Sequence, residues 1–109
     1  MERPRVPALS AVTTERLLRE TGAGPGGLLE LDAAGIHAGS LALAGWTVVV
    51  ADTPERARQA RQRAGGLVAA VHEVDPGALP FTGGEFDVEV VEDGFETPEA
   101  ARVGRRVVR

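Results

Sequence analysis

The chain has 109 residues, 43% of them hydrophobic and 26% charged, with a formal net charge of −4; these are the proportions of one soluble globular domain able to bury roughly two-thirds of its unfolded surface. The acidic balance argues against a general binder of nucleic acid or anionic membrane, and the absence of cysteine excludes disulfides, thiolate metal sites and cysteine nucleophiles. No apolar stretch is long enough to span a bilayer and the first residues carry no secretory apolar core, so a cytoplasmic protein is expected.

Residues 1–8, rich in proline and arginine, read as a flexible lead-in, and 9–109 as one domain. Leu9, Val12, Leu17 and Leu18 lie on one face of a short amphipathic helix ending near Glu20. "TGAGPGG" stops it, since Gly22, Gly24, Pro25, Gly26 and Gly27 all resist helix. Leu28 to Leu31 then reads as a first buried strand, and Ile36 to Ala44 as a helix ended by Gly45.

"WTVVVAD" is a β-branched run of the kind found in parallel strands covered on both faces. The helix after it is the clearest in the chain: Thr53 can cap it, Pro54 suits its first turn, and Gly65 stands where a left-handed cap belongs. Its inward stripe is Ala57, Ala60 and Ala64, which lets it lie close to a sheet, while its arginines read as a solvated face. "LVAAVHEV" and "FDVEVV" are third and fourth strands, and a last helix from Pro98 presents Ala100, Val103 and Val107 inward. Strands alternating with helices indicate an α/β domain with a mainly parallel sheet.

Several stretches go further. In Val74 to Val91, an aspartate closes the third strand, a Leu79-Pro80-Phe81 turn follows, and Phe86-Asp87-Val88 opens the fourth strand. Strand two ends in Asp52 before Thr53-Pro54-Glu55, and the chain closes on "PEAARVGRRVVR". In order and spacing this resembles the class I S-adenosylmethionine-dependent methyltransferases, over Leu17 to Arg109. The resemblance implies a Rossmann-like half with parallel sheet order 3-2-1-4, three helices on one face and the last on the other. It implies S-adenosylmethionine as the cofactor, with Asp52 accepting the ribose hydroxyls, Asp75 meeting the adenine amino group and Glu30 as the acidic residue of the first-strand motif. Asp52 and Asp75 equally suit a helix N-terminal charge and a turn-forming Asp-Pro.

Two departures bear on function. The family's first loop carries three glycines after its acidic residue; counted from Glu30, this chain has Asp32, Ala34 and Ile36 there, with Gly35 out of register. A left-handed conformation at a residue with a Cβ costs about 1–2 kcal/mol, and Ala34 and Ile36 would put atoms where the methionine part of the cofactor should lie, although Asp32 could pair with its ammonium. The family's sheet also continues beyond strand four, whereas here strand four would be an edge, and the acidic Glu89 reads as an edge-strand charge on a naturally short chain.

The first reading is therefore a degenerate methyltransferase-like protein without catalytic residues, acting as an interaction or regulatory subunit. It would form a homodimer or heteromer through the strand-four edge and the last helix. The alternative is a methyltransferase completed by self-association or a partner chain; a binder of another adenosine compound through Asp52 and Asp75 is a third. No metal is expected: His72, Glu73 and Asp75 alternate across a strand, so His72 reads as a surface residue. His37 reads as solvated or capping, and Trp46 as core.

Overall fold

A computed structural model describes residues 6–31, 34–75, 77–91 and 98–108, with side chains described from Thr14 onward. In chain order the elements are α1 (Val6–Thr21), β1 (Gly27–Leu31), α2 (Ala38–Leu43), β2 (Thr47–Asp52), α3 (Pro54–Ala64), β3 (Ala70–Glu73), β4 (Val88–Val91), α4 (Pro98–Val103) and β5 (Val107–Val108). The strands form one sheet in the order β3-β2-β1-β4-β5, with every neighbouring pair parallel. The expected order 3-2-1-4 is present, extended by a fifth strand.

Period-two alternation sorts the strand side chains into two cores. Leu28, Val48, Val50, Val88 and Val90 face Leu17 of α1, Leu41 of α2, and Ala60 and Ala64 of α3. Leu29, Leu31, Ala51 and Val91 face Leu79, Phe81 and Phe86 of the β3–β4 connection together with Ala100 and Val103 of α4. Three helices thus cover one face and one covers the other, as the pattern implied. Phe81 and Phe86 meet edge to face, with centroids 5.1 Å apart. Trp46 is core, as expected, and its indole N–H donates to the Gly22 carbonyl at 2.9 Å, which ties the end of α1 to the start of β2.

The chain end differs from the sequence expectation. The last helix stops at Val103, where Gly104 breaks it, and the β-branched pair Val107–Val108 pairs with β4 instead of continuing an inward helical stripe. Strand four is therefore interior. Its Glu89 is not an edge charge but is 0% exposed, between Leu29 and Val107 in register and packed against Gly104. Among the described residues β5 is the outermost strand on that side.

Two of the terminal arginines, though exposed, are tied to backbone carbonyls. Arg102 donates to the carbonyls of Phe81 at 2.8 Å and Leu79 at 3.0 Å, and Arg106 to those of Glu20 at 2.7 Å and Thr21 at 3.2 Å. Two smaller differences concern helix ends. The first helix begins at Val6, ahead of Leu9. Gly65 is right-handed, with φ −58°; the chain continues the turn past it, Leu67 and Val68 both bonding the Ala64 carbonyl, so no left-handed cap forms.

Candidate functional site

In parallel sheets flanked by helices, ligands bind outside the carboxyl ends of the strands, where successive connections leave to opposite faces. Here that place lies above β1 and β4, whose following helices α2 and α4 cover opposite faces. The loop between β1 and α2 is the feature that shapes it.

Three of the expected residues meet around this loop. Glu30, on β1, is fully buried on the α1–α2–α3 side, and its Oε2 accepts the His37 backbone N–H at 3.1 Å. Asp52, the last residue of β2, is 3% exposed. Its Oδ2 accepts the Ala34 N–H at 3.0 Å and its Oδ1 the Thr53 N–H at 2.8 Å. Gly35 has φ +74°, and a Cβ there would lie 2.8 Å from the Cβ of Ala60 on α3, so the loop rests directly on that helix. Ala34 is itself left-handed, with φ +51°.

Asp75 stands apart from this group. It is exposed, its Oδ1 accepts the Gly77 N–H at 2.9 Å, and it forms an antiparallel bridge with Ala78, which is the turn-forming role an aspartate plays through its own side chain. Asp32 lies outside the described residues. Among the described residues no cluster of His, Asp or Glu is arranged to hold a metal ion, and no helix is long and apolar enough to cross a membrane. His72 is exposed, as expected, against the edge of Phe81 at 5.5 Å.

Two contributors were not read from the sequence. His37 stands at the N-cap position of α2, but its side chain makes no capping bond and is 2% exposed instead of solvated; α1 covers it, with Thr14 Oγ1 and His37 Nδ1 2.6 Å apart. Burial lowers its pKa from 6.5, which favours the neutral ring. Arg63, placed on a solvated face by the helical pattern, donates from Nη1 to the Ala34 carbonyl at 3.0 Å. The available signal was its spacing: it follows the buried Ala60 by one turn. On the far side of the sheet the Leu79–Phe81 turn is stitched to α4, where Glu99 accepts the Leu79 N–H at 2.9 Å and pairs with Arg102 at 2.8 Å. The hydrogen bond from Arg102, then the one from Leu79, holds the Glu99 carboxyl below its usual range.

No family sequence model matches this chain, and no curated protein sequence is significantly similar to it. Solved structures do resemble it. A SAM-dependent methyltransferase from Aquifex aeolicus superimposes with a TM-score of 0.61 at 20% identity, over 72% of this chain and 46% of that one. The glycopeptide N-methyltransferase MtfA gives 0.60 at 21% identity, over 84% and 44%. Coclaurine N-methyltransferase, solved with N-methylheliamine and SAH, gives 0.63 at 12% identity, over 80% and 28%. The chain spans less than half the length of each of these proteins. Its five-stranded parallel sheet and flanking helices have the fold of the class I S-adenosylmethionine-dependent methyltransferases.

Proposed function

We propose that this is a methyltransferase-fold protein that does not itself transfer methyl groups and acts as an interaction or regulatory subunit. One observation carries the reading. The carboxylate best placed to accept ribose hydroxyls, Asp52, is 3% exposed, with one oxygen on the Ala34 N–H and the other on the Thr53 N–H. A carboxylate can accept more than one donor per oxygen, but a ribose would have to displace the β1–α2 loop to reach this one. The residues as arranged do not fit S-adenosylmethionine, and no methyl-transfer step is derived through it. Ala34 and the half-buried Ile36, at positions where the family pattern has glycine, support the same reading.

Calorimetric titration with S-adenosylhomocysteine tests it. The native chain should give no heat of binding at micromolar concentrations, and the triple variant Asp32→Gly, Ala34→Gly, Ile36→Gly should acquire it. Micromolar binding by the native chain would overturn the proposal in favour of an enzyme completed by a second chain. The subunit role predicts a solution mass above that of one chain, either alone or with a partner, and a monomer that co-purifies with nothing would count against it.

A further inference from the structure

We propose that Arg63 is a positioning residue, latching the β1–α2 loop onto α3 and so keeping Asp52 covered; this rests on the reading of Asp52 given above. The fastening is concentrated on two residues. The Ala34 N–H is held by Asp52 at 3.0 Å and its carbonyl by the Arg63 guanidinium at 3.0 Å, while the next residue, Gly35, sits against Ala60. Ala60 and Arg63 are one turn apart on α3, so a single helix supplies both the surface on which the loop lies and the cation that holds it there.

Two other arginines of α3 are used differently. Arg58 pairs with Glu55 in the first turn of the helix, and Arg61 with Glu73 on β3 at 3.4 Å. Arg63 alone among these reaches across to the loop, 29 residues away in sequence. A guanidinium on a carbonyl is a charge-assisted hydrogen bond, stronger than a neutral one. It acts on a left-handed alanine, which without fastening relaxes towards negative φ. Releasing the carbonyl therefore loosens Ala34 between its two peptide units, and with it the N–H that occupies Asp52.

Hydrogen exchange on the full chain tests this without any ligand. The Ala34 amide is the donor to Asp52, so its exchange rate measures uncovering of the carboxylate directly. In Arg63→Ala the amides of Ala34 and His37 should exchange roughly tenfold faster, as expected for loss of one charge-assisted bond. Arg63→Lys should fall between the two, and Arg58→Ala should match the native chain. Native exchange rates at Ala34 in Arg63→Ala would overturn the latch. Titration of Arg63→Ala with S-adenosylhomocysteine separates the latch from the reading beneath it. Appearance of binding supports both. Faster exchange with no binding keeps the latch, and absence of binding in the glycine triple variant as well overturns Asp52 as a covered nucleoside acceptor.

Discussion

Replacing Gly35 by alanine should destabilise the protein by about 3 kcal/mol. Two costs add. The residue has φ +74°, a conformation that costs a Cβ-bearing residue about 1–2 kcal/mol. The new methyl would also lie 2.8 Å from the Ala60 Cβ and 3.0 Å from its Cα, an overpacking of the size that costs about 1–3 kcal/mol. A stiffer unfolded chain returns about 0.4–1 kcal/mol.

Gly22 supplies the control. Its φ of +76° is nearly the same, yet nothing lies within 4 Å of the methyl it would gain, so Gly22→Ala should cost only about 1 kcal/mol. Against a total stability of about 5–15 kcal/mol for a domain of this size, the two variants should have clearly separated urea midpoints by circular dichroism. Ala60→Gly carries its own helix-interior cost of about 1 kcal/mol, but removal of the closer contact should make it about 1 kcal/mol less costly in the Gly35→Ala background than in the native chain. Equal midpoints for Gly35→Ala and Gly22→Ala, or an Ala60→Gly cost that is the same in both backgrounds, would mean that the loop does not rest on α3, and the covered state of Asp52 would lose its support.

Burial lowers the His37 pKa from 6.5, so below about pH 6.5 the unfolded chain takes up a proton that the folded chain declines; stability should fall as pH drops from about 7.5 to about 5.5, and His37→Gln should remove that part of the slope in chemical denaturation. Glu99 is held below its ordinary 4.5 by Arg102 and the Leu79 N–H. Its contribution is complete above that value and is lost as pH falls through the lowered one, so Glu99→Gln should flatten the acid limb of the stability profile. Trp46→Phe removes the indole donor to the Gly22 carbonyl and should cost about 1 kcal/mol in urea unfolding; a cost indistinguishable from zero would show the bond to be idle.

What could be read from the sequence was what local chemistry decides. A continuous β-branched run and an alanine stripe at helical spacing marked β2 and α3 within a residue of their positions, because both patterns are complete inside a dozen residues. The order of strands and helices, with Asp52 and the Leu79–Phe81 turn at their places, was enough to identify the methyltransferase fold. The site was legible only in part. Glu30, Gly35 and Asp52 do converge on one loop, but their spacing says nothing of what each carboxylate holds.

The tertiary structure decided the rest. Val107–Val108 is too short a run to announce a strand, and becomes one only because β4 offers it an unpaired edge; that pairing in turn carries Glu89 from an expected edge into the interior. His37 is buried because α1 closes over it from 23 residues away. Asp52 is covered because Arg63, Ala60 and the carboxylate itself fasten one loop from three directions. Patterns within an element are set by the residues of that element, whereas burial and hydrogen-bond partners are set by whichever distant segment arrives, and no periodicity along the chain encodes that arrival.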